Sequence, residues 1–125
     1  MVTTVTTKGV GDEGEALAWA HLKRHGLTLV QSNYRVARGP HSRGGEVDLI
    51  VRDRDGTLVF VEVRRRQGPG FGGAAGSIGP GKQRSIVFAA QHFLRAYASP
   101  PPCRFDVVAI EGDRIEWLKA AFDAG

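Results

Sequence analysis

Residues 57–65, Thr-Leu-Val-Phe-Val-Glu-Val-Arg-Arg, are apolar on both sides of an extended chain. Leu58, Phe60, Glu62 and Arg64 share one face of a strand, and Val59, Val61, Val63 and Arg65 share the other. Hydrocarbon on both faces belongs in a sheet that is covered on both faces. Only Glu62 and Arg64, near the end, interrupt their side. A second run rich in β-branched residues, Val47 to Arg52, precedes it, and Asp53-Arg54-Asp55-Gly56 joins the two.

The rest of the chain supplies the cover. Asp12 to His25 has a helical pattern, and Gly26 stands where a helix end favours a left-handed residue. Leu27 to Gln31 is a short apolar strand. Asn33 to Gly45, with Arg35, Arg38, Arg43, Pro40 and three glycines, reads as an exposed basic loop. Residues 68–81 hold seven glycines and two prolines, the mark of a mobile loop. Pro80 is placed to open a helix that runs to about Ala98, and Pro100-Pro101-Pro102 ends it. Arg104 to Ile110 and Arg114 to Leu118 are two further strands turning at Glu111-Gly112-Asp113. The order α-β-β-β-α-β-β, with a helix between the third and fourth strands, predicts parallel pairing in a mixed sheet. The fold class is α/β, a sandwich with helices flanking a central sheet. Residues 1–125 read as one domain, with an N-terminal tail at 1–8 and a mobile glycine-rich loop at 66–81.

At 125 residues and 42% hydrophobic content the chain is neither disordered nor in need of disulfides. Cys103 is its single cysteine, which fits a reducing, cytoplasmic setting. No apolar run approaches the ~20 residues of a membrane helix, and Met1 to Thr7 lacks the features of a signal peptide. Membrane, secreted and fibrous readings fall away. The formal charge is +4, and 13 of the 17 basic residues are arginine. The planar guanidinium suits phosphate, so nucleic acid gains weight as a partner, although a GC-rich genome gives the same bias.

Charged residues on apolar faces carry the chemistry. Glu15 falls in the stripe of Ala18, Trp19 and Leu22 on the first helix, where it either serves the site or complements the helix dipole. In the hairpin, a three-residue loop Arg54-Asp55-Gly56 pairs 53 with 57 and sets Asp48 directly across from Glu62. Such side chains share a face with Cβ atoms roughly 4.5–5.5 Å apart and repel unless a cation intervenes. A two-residue loop, Asp55-Gly56, would put them on opposite faces; the sequence permits both, and the first is adopted here. Lys82 extends the stripe of Ile86, Ala89, Ala90, Phe93, Leu94 and Tyr97 to the N-terminus of the second helix. There it either meets a phosphate or carboxylate or covers apolar surface with its stem. Two carboxylates on adjacent strands, a third on a helix and a nearby cation suit Mg²⁺, or Mn²⁺, and hence phosphodiester hydrolysis. Two other motifs fail. Gly76 to Gln83 lacks the Ser/Thr of a phosphate-binding loop, and His21 and His25 lack a third metal ligand. His41 and His92 read as surface residues, and Cys103 as a small apolar residue beside Phe105.

Gly11-x-x-Gly14-Glu15 followed by Ala18, then Asn33-Tyr34-Arg35, Gly45-Glu46-Val47-Asp48-Leu49-Ile50, Val59-Phe60-Val61-Glu62-Val63-Arg64, Lys82 and Arg104-Phe105-Asp106-Val107-Val108 occur in that order. The set, from about Lys8 to Phe122, resembles the bacterial YraN family, itself similar to archaeal Holliday-junction resolvases of the PD-(D/E)XK nuclease fold. The resemblance implies a restriction-endonuclease-like sandwich in which Asp48 and Glu62 are metal-binding carboxylates and Glu15 is the helix carboxylate. It also implies a lysine two residues beyond Glu62, where this chain has Arg64. Arginine keeps the charge but cannot act as a base, so either Lys82 supplies the amine or activity is weakened or lost. In the resulting scheme Asp48, Glu62, Glu15 and the Val63 carbonyl serve the metal, and Lys82 and Arg64 contact the scissile phosphate. Arg35, Arg38, Arg43, Arg65 and Arg66 would bind the nucleic acid, DNA before RNA. A resolvase-like role would need two active sites and hence a homodimer. The alternative is a catalytically silent nucleic-acid-binding or assembly module on the same fold.

Overall fold

The computed structural model describes residues 12–37, 39, 44–66 and 78–124. Its elements are α1 (Glu13–Arg24), β1 (Thr28–Val36), β2 (Gly45–Arg52), β3 (Leu58–Arg66), α2 (Pro80–Leu94), β4 (Cys103–Glu111) and β5 (Arg114–Phe122). The five strands form one sheet in chain order. β3 and β4 pair in parallel across the α2 connection, and the other neighbours are antiparallel. The chain is therefore α/β with a mixed sheet, in the expected order. No described helix is long and apolar enough to cross a membrane.

β3 is covered on both faces, as its sequence requires. Val59 and Val61 pack with Ala18, Trp19 and Leu22 of α1, and Leu58 and Phe60 pack with Ile86, Ala89 and Ala90 of α2. Each helix has a local cause. Asp12 Oδ1 accepts the Glu15 N–H at 2.8 Å, capping α1, whose first turn is acidic and last turn basic. At its other end Gly26 adopts φ +92°. The Gly26 N–H donates to Lys23 O and the Leu27 N–H to Leu22 O, a Schellman stop sealed by the buried Leu22 and Leu27.

Several boundaries differ from expectation. Asn33 to Val36 belong to β1 and not to a loop, because Tyr34 and Val36 pack beneath α2 while Arg35 faces out. α2 ends at Leu94 and not near Ala98. Beyond it Arg95, Ala96 and Tyr97 N–H groups reach back three residues, tightening the chain out of the α-helix. β5 continues past Leu118 to Phe122, since the left-handed Ala120 is accommodated by donating its N–H to Asp106. Arg66 closes β3 and Pro80 and Gly81 begin α2, so both ends of the proposed loop at 66–81 belong to regular elements. Residues 67–77 and the tail at 1–8 lie outside the described residues. Cys103 is exposed rather than packed, its thiol 3.2 Å from Pro101 O.

Candidate active site

The hairpin turn sets the register of the two central acids. The Asp53 N–H donates to Thr57 O and the Gly56 N–H to Asp53 O, with Gly56 at φ +92°. This is the three-residue loop, Arg54-Asp55-Gly56. The ladder it starts runs Arg52↔Leu58, Val51↔Val59, Ile50↔Phe60 and Leu49↔Val61. One step further sets Asp48 opposite Glu62. At that step a side chain enters the ladder, for the Val63 N–H donates to Asp48 Oδ2 at 2.8 Å. β2 also breaks its alternation here. Leu49 packs on the α1 side, whereas both Val47 and Ile50 pack on the α2 side.

Glu15, from the first turn of α1, and Lys82, from the first turn of α2, reach the same place. Glu15, Asp48, Glu62, Val63 and Lys82 line one cavity of about 320 Å³, together with Arg35 and Arg65. Lys82 Nζ lies 3.8 Å from Glu62 Oε1, and an Arg64 guanidinium nitrogen lies 3.8 Å from Glu62 Oε2. Both cations therefore flank one acid. Arg65 turns the other way, 3.5 Å from Glu13 at the start of α1. A roomier hollow of about 490 Å³ lies along α2 beside Phe88 and Asp123, but it contains none of the three acids.

The electrostatics are those of crowded carboxylates. Glu62 is 4% exposed and Glu15 8%. Burial, then the neighbouring Asp48, pushes Glu62 up from 4.5 to about 8, against the pull of Lys82 and Arg64. Burial, then Asp48 and Asp12, lifts Glu15 from 4.5 to about 7, and a hydrogen bond from Asn33 opposes the rise. Asp48 is raised too, chiefly by burial, and the Val63 N–H works against it. At neutral pH the Asp48–Glu62 pair thus keeps a proton that neither acid would hold in water. Among the described residues, Oε1 of Glu15 and Oε1 of Glu62 are buried without a hydrogen-bond partner. Buried oxygens of this kind are costly unless a ligand satisfies them.

Against known proteins, the model of the uncharacterised protein family UPF0102 matches residues 14–110, which include Glu15, Asp48, Glu62 and Lys82. The chain belongs to this family, UPF0102 (YraN). A UPF0102 protein of Methylibium petroleiphilum is 66% identical over 96% of this chain and 98% of its own length. One from an Acidovorax species is 61% identical over 95% of this chain and 88% of its own, and one from Cupriavidus taiwanensis is 60% identical over 91% and 82%.

In this UPF0102 chain the structure brings together Glu15, Asp48, Glu62, Val63 and Lys82, with Arg64 joined through Glu62. Arg35 and Arg65 are exposed beside them. Arg66 is placed by its backbone at the end of β3, and Arg38 and Arg43 lie outside the described residues. No three His, Cys, Asp or Glu side chains among the described residues are set to hold a metal ion by themselves. Three polar lining residues were given no role in the site by the sequence reading: Asp12, Asn33 and Glu46. Asp12 is legible as a helix cap. For Asn33 the signal is that asparagine tolerates a left-handed backbone, which a basic-loop reading absorbs without remark. Glu46 has no distinguishing signal, being one acid at the start of a strand.

Proposed function

We propose that this chain is a metal-dependent phosphodiester hydrolase of the PD-(D/E)XK nuclease type, acting on DNA. The observation that carries the reading is the convergence of Asp48 and Glu62, from adjacent strands, on one cavity, with Lys82 and Arg64 at 3.8 Å from Glu62. The donor set fits Mg²⁺ or Mn²⁺. Such ions take hard oxygens, use one or two protein carboxylates and keep several waters, so the lack of a three-residue cage is no obstacle. Asp48 and Glu62 would hold the ion, with the Val63 carbonyl and Glu15 as further oxygen donors. When bound, it supplies charge neutralisation at a phosphate oxygen and promotes ionisation of water.

The chain's own groups do the rest. Lys82, on a helix N-terminus with no acidic residue in its first turn, presents an ammonium and free N–H groups to a phosphate. Arg64 binds a second phosphate oxygen but takes no proton from water. Arg35 and Arg65 hold the flanking backbone by charge, a mode that reads phosphates before bases. A nuclease that cuts a junction symmetrically requires two such sites and hence a homodimer.

Arg64 also favours a second reading, a nucleic-acid-binding module that has lost hydrolysis. One experiment separates them. Linear, nicked and four-way DNA are incubated with the protein and Mg²⁺ or Mn²⁺, beside Asp48→Ala and Glu62→Ala. Metal-dependent cleavage by the wild type, lost in both variants, is the expected result. Salt-sensitive binding without cleavage selects the module, and cleavage undiminished in the variants sinks the assignment of the site.

A further inference from the structure

Two described non-glycine residues have a left-handed backbone, Asn33 at φ 52° and Ala120 at φ 51°. Ala120 lies in the irregular stretch of β5. Asn33 lies within β1, beside the acid cavity. Such a conformation is strained for a residue that carries a Cβ and persists only where the surroundings enforce it.

The register shows what enforces it. Ser32 pairs with Leu49 and Tyr34 with Val47, which brackets Asn33 opposite Asp48. Asp48 in turn stands one step beyond the Leu49↔Val61 pair, opposite Glu62. One polar row, Asn33, Asp48 and Glu62, therefore crosses three neighbouring strands. Along this row β1 and β2 change face, while β3 keeps its alternation. Val47 and Leu49 are two apart and would normally share a side, yet Leu49 packs under α1, whereas Val47 and its partner Tyr34 pack under α2. β1 stays paired with β2 because it reverses at the same row, and its left-handed residue is Asn33. The same turn brings the Asn33 carboxamide into the cavity, where it hydrogen-bonds the Glu15 side chain from α1.

We propose that Asn33 is a positioning residue of this site. Its backbone keeps β1 in step with the break at Asp48, and its carboxamide holds the Glu15 carboxyl toward Asp48. Its effect on a bound ion rests on the metal-dependent reading given above; its effect on Glu15 does not.

Two substitutions separate backbone from side chain. Asn33→Gly keeps the left-handed conformation and removes the carboxamide, whereas Asn33→Ala removes it and adds steric strain. Thermal unfolding, Mn²⁺ binding by electron paramagnetic resonance and the χ1 couplings of Glu15 by NMR are measured for each. The proposal expects Asn33→Gly to melt close to wild type, to bind Mn²⁺ about tenfold more weakly and to show Glu15 averaging between rotamers. Asn33→Ala melts lower as well. Unchanged Glu15 couplings in Asn33→Gly overturn the proposal. If the wild type itself binds no Mn²⁺, the metal reading fails, and the couplings alone decide: averaging upholds the role of Asn33, fixed couplings end it.

Discussion

Two buried acids of this chain have opposite surroundings. Asp106 is fully buried and fully engaged: Arg104 Nε donates at 3.1 and 3.2 Å, Trp117 Nε1 at 2.9 Å and the Ala120 N–H at 2.9 Å. It ties β4 to β5, and Arg104 carries the tie on to Asp53 in the hairpin turn at 2.9 Å. Asp106→Ala is expected to cost about 3–5 kcal/mol in urea unfolding, because it removes one of the two carboxylates that pair Arg104 and leaves the Trp117 and Ala120 N–H groups without their acceptor. Glu62 is held against its own chemistry. Its folded value of about 8 exceeds the ordinary 4.5, so the folded state binds the proton more tightly than the unfolded one. That contribution to stability is full below pH 4.5 and is lost as pH rises through 8. The metal-free protein should therefore unfold more easily at pH 9 than at pH 6. Glu62→Gln, which fixes the neutral form, should flatten this dependence and exceed wild type by about 1–3 kcal/mol at pH 9. Equal slopes in the two proteins would show that Glu62 is not the titrating group. Mn²⁺ added at pH 8 should raise the melting temperature of the wild type and not of Glu62→Gln.

Among the elements, β2 carries the tightest constraint. A Cβ on Gly45 would run into Ser85 O and stand 3.0 Å from Ala89 N. Both are backbone atoms of α2, which have no rotamer to yield. Glycine there lets the start of β2 press against the helix that brings Lys82, three residues before Asp48. Gly45→Ala is expected to cost about 1–3 kcal/mol and to shift the amide resonances of Asp48 and Val63, which NMR would follow. A loss of stability confined to α2, with those resonances unmoved, would contradict this coupling. Gly14 plays a smaller part at α1, where a Cβ would meet the flexible Arg65 side chain at 3.3 Å. The elements were legible where local chemistry is decisive. Gly26 after α1, Pro80 at the start of α2 and the Arg54-Asp55-Gly56 turn each declare themselves within a few residues. The ends of β1, α2 and β5 did not. They depend on what lies across from them, such as α2 over Tyr34 or Asp106 beside Ala120.

Across the whole molecule, the sheet order places the acids in its middle strands and the two helices bring Glu15 and Lys82 to them from opposite faces. Arg35 on β1 and Arg65 on β3 stand at the same cavity, so phosphate contacts are expected on both flanks. Arg35→Glu and Arg65→Glu should each weaken DNA binding about equally for all sequences. Each should also reduce the slope of log affinity against log salt by about one. A change that depends on sequence, or an unaltered slope, would remove that residue from the interface.

By itself the sequence determined the class of fold, the element order, the parallel crossover and the two loops that could set the hairpin register. Each follows from residues near one another in the chain, through periodicity, caps and turn chemistry. The tertiary structure decided which register holds, that Glu15 and Lys82 meet at Glu62 and Asp48, and that Asn33 belongs with them. These are contacts between segments up to 67 residues apart, and their energetics arise only once packing removes water from the carboxylates.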